Sequence, residues 1–201
     1  MYEALYDAFL AIAASAIPLK TIAFRSVRPR YGKPNLILSP RGSAISGGRY
    51  NPPREFGVLY LALDPLTCLE ETIRFAQSTP NEAAKRLPRI IVGIEVVLSQ
   101  VLNLTNLDML NAIGVAADDL VATGWFDAQQ RGEVALTQQM GRAARNCGVE
   151  ALIVPSAAGP DTQNLVVFSD QLLEGSSLTV IEAEELELPD QPVWLTDLQS
   201  K

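Results

Sequence analysis

The sequence predicts an α+β protein, a mixed β-sheet flanked by helices. Three observations carry that expectation. Short apolar runs bounded by Gly, Pro and Asp read as strands: Val58–Ala62 (VLYLA), Arg89–Leu98 (RIIVGIEVVL), Ala151–Val154 and Asn164–Phe168. Helix-spaced segments fall among them without the regular alternation of a parallel sheet. The 201 residues, 48% hydrophobic and 19% charged, suffice for one sizeable domain with a core and are too apolar for a disordered tail.

The elements follow in order. Tyr2–Ile17 carries Leu5, Phe9, Ile12 and Ile17 at roughly helical spacing and reads as an amphipathic helix ending before Pro18. It lacks a basic leader, contains Glu3 and Asp7, and is too short to span a bilayer. It is therefore expected to pack on the domain, with homo-oligomerisation through its apolar face as a further expectation, and the protein is expected to be cytoplasmic and without membrane contact. Thr21–Val27 reads as a strand. Arg28–Ser46, rich in Gly, Pro, Ser and Arg, reads as loop with an extended piece at Leu36–Leu38. Gly47-Gly48 marks a tight turn. After the strand Val58–Ala62, Asp64 suits a helix N-cap and Pro65 the first helical position, opening a helix to about Ala76. On that helix Leu66, Leu69 and Ile73 define the expected core face, with Glu71 nearer the opposite side beside Cys68 and Phe75. Asp108–Ala112 and Ala116–Leu120 read as short helices. Gly132–Asn146 reads as a longer one, closed by Gly148. A last strand is expected at Leu178–Glu184, followed by an acidic, Pro-containing tail at Leu186–Lys201.

Charge and composition exclude several functions. A net charge of -7 argues against sequence-independent nucleic-acid binding, which needs a basic footprint. Within this acidic chain, Ala23–Arg54 holds Arg25, Arg28, Arg30, Lys33, Arg41, Arg49 and Arg54 and no acid, a local basic region suited to a small anion. The absence of histidine removes Ser-His-Asp and Cys-His catalysis and histidine-based metal sites. Cys68 and Cys147 lack metal-ligand spacing and read as free thiols.

The chemistry concentrates between Gly47 and Glu71. This stretch places Arg49, Tyr60 and Glu71 at even spacing across a loop, a strand and a helix. An arginine holds phosphate with a planar fork of donors. An aromatic stacks on a flat heterocycle. A carboxylate steadies a sugar that is becoming a cation. Together these parts suit cleavage of a dinucleotide at its glycosidic bond. Each also has an ordinary reading: a solvated acid for Glu71 or its neighbour Glu70, a core tyrosine for Tyr60, a surface or ion-paired arginine for Arg25, and turn residues for Ser156 and Asn164.

GGRYN, then Tyr60 in VLYLA, then CLEE, VPSAAG and NLVVF occur in an order that resembles the RES domain family, named for its arginine, glutamate and serine. The resemblance covers roughly Thr21–Phe168. Tyr50 stands where the family motif has Trp. What the resemblance implies is an ADP-ribosyltransferase-like fold over residues 1–201, with a core at about 21–170 and with helix 2–17 and tail 186–201 as extensions. It implies a toxin of a toxin-antitoxin system, paired with an Xre-like antitoxin, that degrades NAD+ by hydrolysis or phosphorolysis. NAD+ is then a substrate, with no cofactor and no metal. Carried over residue by residue, Arg49, Tyr60 and Glu71 match the catalytic positions, with Glu70 as the alternative acid. Arg25, Asn51, Ser156 and Asn164 match substrate-binding positions. Two other functions fit the same pocket: a protein ADP-ribosyltransferase, and a non-catalytic nucleotide-binding module. Arginine-specific transferases typically place one residue between two glutamates, and here Glu70 and Glu71 are adjacent.

Overall fold

A computed structural model describes residues 2–78, 88–159 and 161–181, with the backbone alone for 74–78. The chain is α+β, as the sequence predicts. Its helices are α1 (Tyr2–Ala13), α2 (Pro34–Ile37), α3 (Arg41–Ser46), α4 (Pro65–Ser78), α5 (Leu107–Ile113), α6 (Ala117–Ala122), α7 (Trp125–Gln130) and α8 (Leu136–Asn146). Its strands are β1 (Ile17–Val27), β2 (Leu59–Ala62), β3 (Ile90–Asn103), β4 (Ala151–Pro155), β5 (Gln163–Val167) and β6 (Ser177–Val180).

The strands form one mixed sheet in the order β1-β2-β5-β4-β3-β6, and β1 also pairs with β3. This extra pairing closes β1, β2, β5, β4 and β3 into a ring, with β6 on the β3 edge that β4 also uses. The β3–β4 pair is parallel and the others are antiparallel. The junction of β1 with β2 rests on Phe24 opposite Ala62. Period-two alternation divides the apolar residues between two cores. Ala23, Leu59, Leu61, Ile94, Val96, Ile153 and Leu165 fill one, together with Ile37 from α2. Leu102, Leu152, Val154, Val166 and Phe168 face the other, covered by Leu5, Phe9 and Ile12 of α1, Leu110 of α5 and Met140 and Ala143 of α8. The apolar face of α1 is thus spent inside its own chain. Among the described residues no helix is long and apolar enough to cross a membrane.

Several local expectations need correction. The first helix stops at Ala13, and Ile17 with Pro18 already belongs to β1. Proline is tolerated there because the register shifts between Ile17 and Leu19, a bulge that asks no ladder hydrogen bond of Pro18. The stretch read as loop at Arg28–Ser46 contains a 3-10 turn and helices α2 and α3, and Leu36–Leu38 is not extended. Pro29 and Pro34 stand in the first turns of the first two, where a missing N–H costs nothing. The helix read as starting at Gly132 begins at Leu136, and Trp125–Gln130 is a separate helix. The last described strand is Ser177–Val180, with Ile181 in a turn; residues 182–184 of the expected strand and the tail expected at 186–201 lie outside the described residues.

Candidate active site

Helix α4 opens as expected, with Asp64 Oδ1 accepting from the Thr67 amide at 2.8 Å. Its orientation reverses the expected one. Leu66, Leu69 and Ile73 are 69%, 43% and 45% exposed, whereas Thr67 and Cys68 are 1% and 5% exposed. The helix lies against β1 and β2 on small side chains, which lets its backbone approach the strands. Glu71, one turn beyond Cys68, is carried to the covered side, while Glu70 is exposed. Cys68 is a free thiol, as is the half-buried Cys147. Burial pushes the Cys68 thiol up to about 11, the nearby Glu71 carboxylate adds to this, and Arg89 partly offsets it.

The Glu71 carboxylate is held from β4 and β5. Its Oε1 accepts from Ser156 Oγ and from Asn164 Nδ2, both at 2.6 Å. Ser156 follows β4, where its amide continues the ladder to Thr162, and its Oγ accepts from the Ala158 amide at 3.0 Å. Asn164 is the second residue of β5, opposite Ala62 on one side and Val154 on the other. Two charge-assisted bonds on one oxygen fix the carboxylate in place. Among the described residues nothing donates to Oε2.

A second unit forms around the GGRYN loop. Gly48 and Asn51 exchange backbone hydrogen bonds of 2.9 and 3.3 Å, so Arg49 and Tyr50 are the tip residues of a tight turn. Tyr60 on β2 supports that turn: its hydroxyl accepts from the Tyr50 amide and donates to Asn51 Oδ1, both at 2.9 Å. The Tyr60 ring lies so close to Gly48 that a Cβ there would fall 2.5 Å from the hydroxyl. Burial raises the Tyr60 phenol above its ordinary range, so it stays protonated and donates. Asn51 is fully buried, and its amide nitrogen donates to the Ser43 and Phe56 carbonyls at 2.8 and 3.0 Å. Arg49 turns outward and caps the end of α6, where Nη1 donates to the carbonyls of Leu120, Val121 and Thr123 at 2.8–3.3 Å. Tyr60 and Asn164 are diagonal neighbours on the same face of the β2–β5 pair, since Tyr60 stands opposite Val166.

Arg25 bonds to neither unit. Its guanidinium donates to the carbonyls of Ile37 and Ser39, tying α2 to β1. Burial, and then the charge of Arg89, lowers it to about 10. Arg89 itself donates to Ser26 Oγ at 2.7 Å and to the Ser26 carbonyl. At the end of β4 and β5, Leu104, Thr105, Leu110, Pro155 and Gln163 line a groove of about 340 Å³.

The sequence reading missed the support of the GGRYN loop. Gln138 on α8 is buried, and its Nε2 reaches the Gly48 carbonyl at 3.0 Å, the Asn51 carbonyl at 3.4 Å and Gln129 Oε1 at 3.0 Å. Gln129 in turn donates to the Ser46 carbonyl at 2.9 Å. One turn along α8, Gly141 lets the Tyr50 backbone touch the helix, and any Cβ there would collide with the Tyr50 carbonyl. A buried glutamine beside a small residue is visible in LTQQMGRAARN only once the opposing surface is known.

Glu71 thus meets Ser156 just after β4 and Asn164 on β5, and the half-buried Tyr60, a diagonal neighbour of Asn164, carries the turn that bears Arg49. The RES domain profile matches residues 21–190, and the chain belongs to the RES domain family. Its relatives include the NAD(+) phosphorylase MbcT of Mycobacterium tuberculosis (strain ATCC 25618 / H37Rv) and that of Mycobacterium bovis (strain ATCC BAA-935 / AF2122/97). Each is 32% identical over 124 residues, 61% of this chain and 62% of the relative. The match therefore spans less than two thirds of those proteins. The crystal structure of the M. tuberculosis MbcT-MbcA toxin-antitoxin complex superposes with a TM-score of 0.68 at 26% identity, covering 89% of both chains.

Proposed function

We propose that this chain is the toxin of a toxin-antitoxin system and degrades NAD+ by breaking the bond between nicotinamide and ribose. The observation that carries this reading is the Glu71 carboxylate, held through Oε1 by Ser156 and Asn164. In the reaction the C1′–N bond breaks and its electron pair neutralises the pyridinium, so nicotinamide leaves without a general acid. The ribose gains positive charge as the bond stretches, and a preorganised carboxylate stabilises that charge without reorganising. An acceptor oxygen then bonds to C1′. The relatives named NAD(+) phosphorylases favour inorganic phosphate over water, giving ADP-ribose 1″-phosphate.

Arg49, Tyr60 and Arg25 are assigned supporting parts. Tyr60 holds the turn that presents Arg49, and Arg49 offers Nε and Nη2 to a substrate phosphate. Arg25 adds positive potential from a half-buried position. NAD+ is the substrate and no cofactor is required. The partner is an Xre-like antitoxin, and the exposed Leu66, Leu69 and Ile73, on the face of α4 opposite Glu71, suit an apolar contact with a protein partner.

The test is nicotinamide release from NAD+ by the purified chain. Release that Glu71→Gln abolishes while the protein stays folded supports the reading. ADP-ribose found covalently on another protein would favour a transferase instead, and binding without release would leave only a nucleotide-binding module.

A further inference from the structure

Asn164 has two ends, and only one of them is accounted for. A carboxylate only accepts hydrogen bonds, so the side-chain nitrogen must face Glu71 and the oxygen must point away. That oxygen, Oδ1, is buried and has no hydrogen-bond partner among the described residues. A buried acceptor without a donor is costly and rare, and one beside a site carboxylate calls for a donor that arrives with the ligand. The other residue on the carboxylate offers no such vacancy, because Ser156 Oγ both donates to Glu71 and accepts from Ala158.

We propose that Asn164 Oδ1 accepts an N–H of the carboxamide on the substrate's nicotinamide ring, which makes Asn164 the residue that selects an amide over an acid at that position. The inference rests on the NAD+-cleaving reading. One side chain then touches the carboxylate that serves the ribose and the group that identifies the leaving ring. A substrate bearing a carboxylate in place of the carboxamide has no N–H to give and sets its own oxygens against Oδ1, so the site rejects it.

The experiment compares kcat/KM for NAD+ and for its deamido analogue, nicotinic acid adenine dinucleotide, in the wild type and in Asn164→Ala. The expected result is a wild-type preference for NAD+ of about tenfold or more, which Asn164→Ala abolishes by losing NAD+ cleavage selectively. If Asn164 merely steadied Glu71, the variant would slow both substrates by the same factor, and that outcome overturns the proposal, as does a wild type with no preference. Should the variant not fold, inhibition of the wild type decides: nicotinamide must compete with NAD+ at least tenfold better than nicotinate, and equal competition overturns the assignment. A folded protein that cleaves neither dinucleotide refutes the NAD+-cleaving reading instead. The Asn164 assignment is then judged by calorimetric binding of nicotinamide against nicotinate.

Discussion

Ser156 Oγ lies 2.6 Å from Glu71 Oε1, joining the end of β4 to the second turn of α4 across 85 residues of sequence. The bond is charge-assisted, and the same hydroxyl is anchored by the Ala158 amide. Replacing it frees the carboxylate to rotate. Ser156→Ala is expected to lower kcat for nicotinamide release by roughly ten- to a hundredfold, the kinetic equivalent of one hydrogen bond to a charged group. Steady-state kinetics on the folded variant check this. An unchanged kcat would mean that Glu71 needs no such support.

The two neighbouring tyrosines are expected to respond in opposite ways. The Tyr60 hydroxyl joins the Tyr50 amide to Asn51, so Tyr60→Phe leaves both without their partner and should cost about 1–3 kcal/mol. The Tyr50 hydroxyl is buried with no partner among the described residues, so Tyr50→Phe removes an unpaired polar atom and should be neutral or stabilising by up to about 1 kcal/mol. Urea unfolding of the two variants separates them, and equal losses would be contrary to this assignment.

Gly141 is where α8 meets the GGRYN loop. Gly141→Ala drives a methyl into the Tyr50 carbonyl, and neither backbone can yield cheaply. A loss of about 2–4 kcal/mol is expected, with KM for NAD+ rising as Arg49 shifts. Thermal melts and saturation curves on the same samples test both halves.

Glu150 gives the fold an acid-sensitive point away from the site. It is fully buried, and its carboxylate accepts from the amides of Ser99, Gln100 and Leu173. Burial alone would raise its pKa, but these amides together with Ser176 outweigh it and hold the group below its ordinary 4.5. Because the folded value is the lower one, the unfolded chain binds the proton more tightly. The stabilisation is complete above about 4.5 and is lost as pH falls through the folded value. Glu150→Gln should be less stable at neutral pH and should lose less on acidification. Melting temperatures of both proteins between pH 7 and pH 3 read this directly, and parallel curves would contradict it.

Much of this was legible in the sequence, and what was not has identifiable causes. The α+β class and the main strands followed from apolar runs and turn residues, and Asp64-Pro65 located the start of α4. The face of α4 did not follow. Periodicity finds the stripe Leu66–Leu69–Ile73 but cannot tell a core from an uncovered surface, and here the strands take the side with Thr67 and Cys68. Helices α2 and α3 were hidden because Pro34 and Pro40 read as loop residues when they stand at helix starts. Within the candidate site, Glu71, Ser156 and Asn164 were named from the order of motifs and meet in space. Gln138 was not named, because its role depends on a loop 90 residues away that no local pattern reveals.

The measurement that bears most directly on the central claim is nicotinamide release from NAD+ by the purified chain, with and without inorganic phosphate, beside Glu71→Gln. The expected result is release by the wild type that phosphate accelerates, with ADP-ribose 1″-phosphate as the product, and none from the folded variant. Wild-type rates that survive in Glu71→Gln would contradict it, because the carboxylate that Ser156 and Asn164 hold would then have no part in the chemistry.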